Sequence, residues 1–420
     1  MLIEFSVANF KSIKTEQKLT LTKTKSNELE ESNTFESGGY NLLKSVVIYG
    51  ANAAGKSNFI KALAEMRHLI LSSSKMNSGD MLDMTPYKLS DDTISKPSEF
   101  EVIFIAADGV RYQYGFTATA LRIHEEWLYA FPKGRPQKWF TRYFDVETGE
   151  YHWDMGAALF GEKAVWQRST KENSLFLSTA VQLNSKQLTP IFEWFSDKLK
   201  LAVNGHWGPT LTTKLCEEKD KNKILSIMQA ADLDIEDLQV ETKTFDINNL
   251  PKDIPSDFRQ VLINELRDQS VSEVFTIKKN EDGNLIRFDL ENDESEGTQK
   301  LFSLAGPWIT SLNRGHILFI DELHLNLHPK LVEFLVSMFH DPNLNKNNAQ
   351  LIFTTHDTTI LSQDFFRRDQ VWFCEKEDGY STKLYPLTDF NPRKGRENLE
   401  ASYLDGKYGG LPYINKIKRL

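Results

Sequence analysis

Hydrophobic and polar positions follow two different patterns along this chain, and one of them occupies both ends. Residues 42–50 form an apolar, β-branched run that ends at a glycine, and residues 56–70 carry apolar side chains at helical spacing. This order predicts a buried parallel strand, a glycine-rich turn and a helix. Beyond residue 297 the pattern alternates again, and it predicts helices over 298–312, 329–340 and near 358–366, with strands over 316–320, 350–355 and 370–376.

The middle of the chain has the second pattern. Residues 99–147 alternate with a period of two and contain a turn signal at Asp108-Gly109, which predicts antiparallel strands. Residues 186–270 are mostly helical in pattern, and residues 273–290 predict a hairpin. We therefore expect an α/β protein whose two ends share one sheet, with a mixed middle inserted between them.

Composition narrows the class of protein. The 420 residues are 40% hydrophobic and 26% charged, as in a globular protein, and no run of 18 apolar residues occurs. The opening residues lack the features of a signal peptide, and Cys216 and Cys374 lie too far apart in sequence to indicate a disulfide framework. We expect a cytoplasmic protein that does not contact a membrane. The net charge of −9 indicates that any contact with nucleic acid is local.

Residues 50–57 match the phosphate-binding pattern G-x-x-x-x-G-K-[ST] in full. Glycines let backbone N–H groups approach phosphates closely, and the helix that follows points its positive end at the same oxygens. The lysine of this pattern reaches the β- and γ-phosphates, and the final hydroxyl ligates Mg²⁺. We therefore predict that ATP and Mg²⁺ bind here, with Ser57 as a metal ligand and nucleotide contacts from Gly50, Asn52, Gly55, Lys56, Ser57 and Asn58.

An apolar strand over residues 316–320 ends in Asp321 and Glu322. Two adjacent carboxylates at the end of a buried strand are costly unless they hold a charged group. Asp321 suits Mg²⁺, directly or through water, and Glu322 suits polarisation of an attacking water. Strands often end in acids at a protein surface, so the two acids alone are a weak signal. Together with the phosphate-binding pattern of residues 50–57, they strongly indicate a nucleotide site.

Two further signals are weaker by themselves. Ser295 and Gly297 open the helix before the acidic strand, and free N–H groups at a helix start can bind an anion. An ordinary serine-capped helix is the simpler alternative. His356 follows the strand over 350–355 and can hydrogen-bond a γ-phosphate, although a lone histidine is more often structural.

His324 and His328 lie four residues apart and close to Glu322, which raises the question of a zinc site. Pro329 follows at once, and the segment has the pattern of a loop instead of the helix that an H-E-x-x-H site needs. We therefore expect magnesium, and not zinc, to be the metal of this region.

These motifs, in this order and with a long gap between Ser57 and Ser295, resemble the ABC-type ATPases of the SMC and RecF group, in which the two chain ends form an ATPase head. The opening Asn9-Phe10-Lys11-Ser12 resembles the N-terminal motif of that group, which lies near the nucleotide. The segments Ser-Glu-Gly-Thr-Gln-Lys at 295–300, Ile-Asp-Glu-Leu-His at 320–324, Thr-Thr-His-Asp at 354–357 and Tyr403 to Pro412 are more specifically similar to the AAA-type abortive-infection ATPases of prokaryotic phage defence.

The resemblance implies an ABC/SMC-like P-loop ATPase head with a mixed sheet, an antiparallel β lobe and an inserted helical region. It implies four segments: residues 1–75 as the N-terminal part of the head, 76–185 as a β-rich lobe, 186–270 as a helical insertion, and 271–420 as the C-terminal part of the head.

The same resemblance assigns roles to residues. It implies catalytic roles for Glu322 and His356, a metal-binding role for Asp321, and contacts from Ser295 and Gly297 to the γ-phosphate bound by a second protomer.

The sequence also departs from the family pattern. Glu294 stands where the family has leucine, and His328 stands where transporter-type relatives have aspartate. Gln113 is the candidate for the glutamine of the Q-loop, although its place within a strand favours a structural role.

The expected function is that of an ATP-hydrolysing switch, a homodimer or larger homo-oligomer that controls a separate effector such as a TOPRIM nuclease in an antiphage system. One alternative is a RecF/SMC-like DNA-repair ATPase, against which the negative net charge and the missing heptad run weigh. Another is an ATP-dependent scaffold with slow turnover, against which Glu322 weighs. No separate cluster of acids and lysines indicates nuclease chemistry in this chain.

Overall fold

The computed structural model of the chain describes residues 1–203, 207–244, 270–377 and 380–412. The strands of the first half are β1 (Leu2–Ala8), β2 (Gln17–Thr20), β3 (Thr34–Ser37), β4 (Tyr40–Leu43), β5 (Ser45–Gly50), β6 (Ser98–Ile105), β7 (Arg111–Ala118), β8 (Ile123–Phe131), β9 (Gln137–Asp145), β10 (Glu150–Met155) and β11 (Leu199–Ala202). Those of the second half are β12 (Asp237–Thr244), β13 (Ser270–Lys279), β14 (Leu285–Asp289), β15 (Ile317–Ile320), β16 (Gln350–Thr354), β17 (Val371–Lys376) and β18 (Thr382–Pro386).

The α-helices of the described residues are α1 (Glu30–Asn33), α2 (Lys56–Ser72), α3 (Asp91–Ile94), α4 (Lys163–Ser169), α5 (Phe176–Gln182), α6 (Thr189–Glu193), α7 (Thr210–Glu218), α8 (Lys221–Ala230), α9 (Glu296–Arg314), α10 (Pro329–His340) and α11 (Leu399–Leu404). Short helical turns of other types cover Ser73–Lys75, Trp194–Lys198, Arg368–Gln370 and Leu387–Phe390. None of these helices combines the length and the apolar composition that a membrane crossing requires.

The chain forms two compact units. The first comprises Met1–His206, Ser311–Leu325 and Val332–Leu420, and the second comprises Trp207–Thr310 and Asn326–Leu331. The four segments predicted from the sequence divide the chain at other points, and that division stays a prediction.

Two sheets form the framework of the first unit. One is antiparallel, with seven strands in the order β10-β9-β8-β7-β6-β1-β2. The other has six strands in the order β11-β15-β16-β5-β17-β18, and all its pairs are parallel except the last. The central strands β5, β15 and β16 are buried along their whole length, as parallel strands covered on both faces should be.

Helix α2 joins the two sheets through one hydrophobic core. Phe59 on α2 meets Phe5 on β1 edge to face, with ring centroids 5.2 Å apart. Phe59, Ile60, Leu63 and Met66 of the helix are buried in the same core as residues of β1, β5 and β6. This packing fixes the start of α2, and therefore the loop before it, against the edge where the parallel strands end.

The α/β pattern of the C-terminal third is largely confirmed, with one wrong prediction. Helix α10 spans the predicted residues 329–340, and β15, β16 and β17 lie where strands were expected. Residues 358–366 do not form the predicted helix; they form turns. The carboxylate of Asp357 accepts hydrogen bonds from the backbone N–H and the hydroxyl of Thr359, and Ser362 accepts one from the N–H of Asp364. Such local side-chain bonds compete with helix formation.

Residues 186–270 are only partly helical. They contain α6, α7 and α8, but also β11 and β12, while residues 204–206 and 245–269 lie outside the described residues. Strand β11 exists because it pairs in parallel with β15, from Leu199 against Ile317 to Ala202 against Ile320. A contact between segments so far apart in sequence overrides the local helical pattern.

The second unit contains an antiparallel sheet, β12-β13-β14, together with α7, α8 and the first part of α9. The predicted hairpin over residues 273–290 is confirmed as β13 and β14, which pair from Phe275 against Asp289 to Lys279 against Leu285. Val274, Phe275 and Ile277 of β13 are buried within this unit.

Candidate functional site

The loop between β5 and α2 is shaped by two glycines that no other residue can replace without strain. Gly55 has a φ of 113°, and a Cβ built on it would lie 1.9 Å from the hydroxyl of Thr382. A Cβ on Gly50 would lie 2.2 Å from the carbonyl oxygen of Cys374. Because β17 and β18 lie this close to the loop, there is no room for a side chain at either position, and only glycine fits.

Lys56, the first residue of α2, folds its side chain over this loop. Its ammonium group donates to the carbonyl oxygens of Gly50 at 2.8 Å and Ala51 at 3.0 Å, and lies 3.3 Å from Nε2 of His356. Burial lowers the pKa of Lys56, while the charges of Asp321 and Glu322 oppose that shift. A cation with so little solvent around it favours an anionic ligand strongly.

Asp321 and Glu322 are joined through one hydroxyl group. The side chain of Thr354, at the end of β16, donates to Oδ1 of Asp321 at 2.7 Å and accepts a hydrogen bond from the N–H of Glu322 at 2.7 Å. Asp321 is buried, and its own N–H donates to the carbonyl oxygen of Ala202. The carboxylate of Asp321 and the backbone of Glu322 are therefore held in place at the carboxyl end of the parallel sheet.

Glu322 has an unusual backbone conformation. Its φ of 51° lies in the left-handed region, which is rare for a residue with a long side chain. The N–H of Leu325 donates to the carbonyl oxygen of Glu322, closing a turn directly after β15. Backbone conformations of this kind often occur at functional sites, where the surrounding structure holds them.

Two histidines lie beside the acids. The rings of His324 and His356 are 5.5 Å apart and nearly perpendicular. Burial, reinforced by the charge of Lys56, lowers the pKa of His356 to about 4, so its ring is neutral at pH 7. Burial also lowers the pKa of His324, against the opposing charge of Glu322.

A cavity of about 340 Å³ brings these groups together. Its lining consists of residues 52–58, Glu322 and His356. Residues 52–58 of the predicted loop, the predicted catalytic glutamate and the strand-end histidine thus face one space, whereas Gly50 and Asp321 are not part of its lining. Asn52 is exposed at its rim. The amide of Asn58 is instead directed at the N-terminal motif, where its Nδ2 donates to the hydroxyl of Ser12 at 2.8 Å.

The donor groups here fit magnesium better than a softer metal. Ser57 offers a hydroxyl and Asp321 a carboxylate, and Mg²⁺ prefers oxygen ligands, including the phosphates of a bound nucleotide. Among the residues that the structure describes, no three histidine, cysteine, aspartate or glutamate side chains cluster to hold a metal by themselves. Cys216 and Cys374 are free thiols, and burial raises the pKa of each to about 12.

Ser295 and Gly297 lie in the second unit, at the start of α9. The hydroxyl of Ser295 accepts a hydrogen bond from the N–H of Thr298 at 3.2 Å, which makes Ser295 the cap of the helix. A Cβ on Gly297 would lie 3.0 Å from the carbonyl oxygen of Asn326. The capped-helix interpretation is therefore correct for Ser295, and it leaves the other N–H groups of the first turn available to a ligand.

Glu294 has a structural explanation within the same unit. Its buried carboxylate accepts a hydrogen bond from the hydroxyl of Thr276 at 2.5 Å and pairs with Lys278 at 2.8 Å. The acid therefore ties β13 to the start of α9, a task that the family's leucine at this position could not perform by hydrogen bonding.

His328 accepts a hydrogen bond from the N–H of Lys330 at 3.2 Å, within the first turn of α10.

Gln113 is a structural residue of the antiparallel sheet. Its Nε2 donates to the carboxylate of Glu101 at 2.9 Å, and both residues belong to adjacent strands of that sheet.

Sequence reasoning missed Thr354 and Thr382. Thr354 follows directly after Phe353, which pairs with Ile320, so it stands beside Asp321 in the next strand. The sequence signal that could have indicated Thr354 was a hydroxyl side chain at the end of the predicted strand over 350–355. Thr382 touches the loop from a strand more than 300 residues away in sequence, and no local pattern marks it.

This arrangement defines the class of the protein as a P-loop ATPase domain with an ABC/SMC-like α/β fold. A family model described as "AAA domain, putative AbiEii toxin, Type IV TA system" matches residues 45–362. The match spans well over half of the chain, and the chain belongs to this family. No curated protein matches the sequence significantly.

Solved structures of two kinds are similar to the chain. The SMC head domain from Thermotoga maritima is 12% identical, with 92% of this chain and 98% of that chain covered and a TM-score of 0.39. The recombination mediator protein RecF-ATPrS of the RecFOR pathway is 13% identical, with 91% and 98% covered and a TM-score of 0.36. The Smc head domain with a coiled coil and joint from Pyrococcus yayanosii is 10% identical, with 97% and 99% covered and a TM-score of 0.36.

Proposed function

We propose that the chain binds ATP with Mg²⁺ at the loop over residues 50–57 and hydrolyses it. The observation that carries the proposal is the double hydrogen bond of Thr354, which holds the carboxylate of Asp321 and the backbone of Glu322 beside the cavity that Lys56 lines. Two adjacent acids next to a desolvated cation suit phosphoryl chemistry, in which positioning and charge stabilisation do most of the catalytic work.

Each residue has a role in this proposal. The backbone N–H groups of the loop and the ammonium group of Lys56 hold the β- and γ-phosphates. Ser57 and Asp321 would hold Mg²⁺, which would supply positive charge to neutralise the phosphate oxygens. Glu322 orients the attacking water and accepts its proton. The neutral ring of His356 hydrogen-bonds the γ-phosphate as negative charge shifts during the reaction.

The site is complete, in this proposal, only when two copies of the chain meet. Ser295 and Gly297 of a second copy then supply N–H and hydroxyl donors to the γ-phosphate, so the chain acts as a homodimer or a larger homo-oligomer. The capped first turn of α9 is the observation that supports this role, because Ser295 caps only the N–H of Thr298, and the first N–H groups of a helix have no carbonyl partner within it.

We further propose that ATP turnover switches a separate effector in an antiphage, abortive-infection system. The family description, which names a toxin of a type IV toxin–antitoxin system, supports a defence role. Because no nuclease-like set of acids and lysines occurs in the sequence, the toxic chemistry is assigned to a partner such as a TOPRIM nuclease. With a net charge of −9, direct contact with nucleic acid is assigned to a local surface only.

Two substitutions test the enzymatic proposal. Lys56→Ala removes the counter-charge of the phosphates and should abolish ATP binding measured by calorimetry. Glu322→Gln keeps the shape of the side chain but loses the base, so ATP binding should persist while phosphate release slows by about 100-fold or more. A Glu322→Gln protein that turns over ATP at the wild-type rate would remove Glu322 from the mechanism.

A plaque assay tests the biological role. The wild-type chain, expressed with its neighbouring genes, should reduce phage plating, and the Lys56→Ala and Glu322→Gln versions should not. Equal phage plating with and without the wild-type chain, combined with increased sensitivity to DNA damage when the chain is deleted from its host, would favour a DNA-repair ATPase instead.

A further inference from the structure

A line of hydrogen bonds connects the N-terminal motif, the last strand of the parallel sheet and the phosphate-binding loop. Nδ2 of Asn58 donates to the hydroxyl of Ser12 at 2.8 Å. The hydroxyl groups of Ser12 and Thr382 are 2.7 Å apart. The hydroxyl of Thr382 lies 3.0 Å from the carbonyl oxygen of Ala54 and donates to it. Ser12 and Thr382 are separated by 370 positions in the sequence.

The direction of each hydrogen bond in this line is determined. A threonine hydroxyl has one hydrogen, and Thr382 gives it to Ala54 because a carbonyl oxygen can only accept. The Ser12 hydroxyl must then donate to Thr382, and it accepts from the amide of Asn58. Hydrogen bonds aligned in one direction polarise and strengthen one another.

The line ends on the Ala54–Gly55 peptide of the loop. In a trans peptide the C=O and N–H bonds point in opposite directions. When the carbonyl of Ala54 is held towards Thr382, the N–H of Gly55 points to the other side of the peptide plane, away from β18. The thiol of Cys374 donates to the same carbonyl at 3.4 Å, so two donors fix this peptide.

We propose that Thr382 is a positioning residue that sets the affinity of the loop for ATP by orienting the Ala54–Gly55 peptide, and that Ser12 acts through it. The inference rests on the proposed ATP site. Thr382 is almost fully buried, and its own N–H donates to the carbonyl oxygen of Ser12 at 2.8 Å. Strand β18 is therefore held at Thr382 by a backbone hydrogen bond, and the hydroxyl of Thr382 is not needed for that contact. It donates to the loop instead.

Calorimetry with a non-hydrolysable ATP analogue and Mg²⁺ tests the proposal on the full chain. Thr382→Val keeps the volume and removes the donor, so the Kd should rise about 10-fold, as expected for one lost buried hydrogen bond. Thr382→Ser keeps the hydroxyl and should stay within about 2-fold of the wild-type Kd. The unfolding temperature of the nucleotide-free Thr382→Val protein should stay within a few degrees of the wild-type value.

Thr179 provides the matched control. Its buried hydroxyl also donates to a carbonyl oxygen, that of Leu175, but far from the loop in sequence and on α5. Thr179→Val should leave the Kd unchanged. Ser12→Ala removes the group that donates to Thr382 and should raise the Kd by about 3-fold. In a protein that already carries Thr382→Val, adding Ser12→Ala should not raise the Kd further.

The outcomes separate this inference from the proposed function. A wild-type chain that fails to bind the analogue overturns both. If the wild type binds and Thr382→Val binds equally well, only the role of Thr382 is overturned. The role is also overturned if Thr382→Ser is as weak as Thr382→Val, because shape and not the hydroxyl would then be responsible.

Discussion

Thr354 shows how much a single hydroxyl contributes to this site. It donates to Asp321 and accepts from the backbone of Glu322, so one side chain holds the carboxylate of the predicted metal ligand and the backbone of the predicted base. Residues that hold catalytic groups in place often matter almost as much as the groups themselves. The left-handed backbone of Glu322 makes this support more important, since the conformation is unfavourable without it.

Thr354→Val should therefore slow ATP hydrolysis while leaving ATP binding nearly intact. The substitution keeps the volume of the side chain but leaves the carboxylate of Asp321 and the N–H of Glu322 each without a partner. We expect a loss in turnover of about 10- to 100-fold, the usual range for a group that orients a metal ligand.

Steady-state phosphate release and calorimetric ATP binding, measured on the same protein, check this prediction. Thr354→Ser retains the hydroxyl and serves as the control, with turnover near the wild-type rate. Wild-type turnover in Thr354→Val would show that the two acids keep their positions without the bridge.

At the scale of elements, α9 depends on its neighbour α7 within the second unit. Pro307 lies inside α9 and cannot donate a backbone hydrogen bond. The hydroxyl of Thr212 on α7 compensates, because it accepts from the N–H of Gly306 at 3.0 Å and lies 3.4 Å from the carbonyl oxygen of Ser303, to which it donates. The helix that carries Ser295 and Gly297 is thus supported at its proline by a side chain from another element.

Gly306→Ala tests how closely the two helices approach. A Cβ at this position would lie 2.5 Å from the hydroxyl of Thr212 and 2.8 Å from its Cα. Alanine gains about 1 kcal/mol over glycine in a helix, but overpacking against a backbone costs about 1–3 kcal/mol or more, and the clash with Cα places this case at the upper end. We therefore expect a net loss of about 1–2 kcal/mol in the free energy of unfolding.

Urea unfolding of the full chain measures this loss. Gly208→Ala, in the same unit, is the control, because a Cβ there would meet only the Thr210 hydroxyl, at 4.0 Å. Its unfolding midpoint should stay near that of the wild type. A Gly306→Ala protein that is as stable as the wild type, or more stable, would contradict the close approach of α7 and α9.

At the scale of the whole molecule, both ends of the chain build the proposed ATP site. Strand β5, which leads into the phosphate-binding loop, pairs with β16 on one side and β17 on the other. The predicted signature residues Ser295 and Gly297 belong to the second compact unit, whereas Lys56 and Glu322 belong to the first. A site completed by the signature of a second copy remains a proposal, and it makes a distinct biochemical prediction.

Mixing two inactive variants tests the shared site. Lys56→Ala removes the loop cation, and Ser295→Arg places a bulky side chain at the signature, so each homodimer would have two dead sites. A heterodimer would combine both defects in one site and leave the other whole. We therefore expect hydrolysis to recover partially on mixing, as measured by phosphate release.

The stability of Ser295→Arg is the necessary control, because loss of the helix cap costs about 1 kcal/mol by itself. Its unfolding temperature should stay close to that of Ser295→Ala, which loses the same cap without the added bulk. Normal hydrolysis by Ser295→Arg alone would rule out the shared site and favour a monomeric enzyme.

The sequence by itself determined those parts that depend on neighbouring residues. The phosphate-binding loop lies between a strand and a helix as predicted, because its glycines, lysine and serine act within eight consecutive positions. The position of Asp321 and Glu322 directly after a buried strand was predicted for the same reason, since an apolar run followed by two acids is a local signal. Helix α10 and the β13–β14 hairpin also follow from local periodicity and turn residues.

Tertiary structure alone decided which segments meet. It made residues 199–202 a strand by pairing them with β15. The expected helix over 358–366 is absent for a local reason, because Asp357 and Ser362 accept hydrogen bonds from backbone N–H groups two residues further along the chain. Tertiary structure also placed the hydroxyl groups of Thr354 and Thr382 at the site. The physical reason is the range of the forces involved. Helical periodicity and motif chemistry act between neighbouring residues, whereas strand pairing and hydrogen bonds across the sheet depend on partners that only the folded chain brings together.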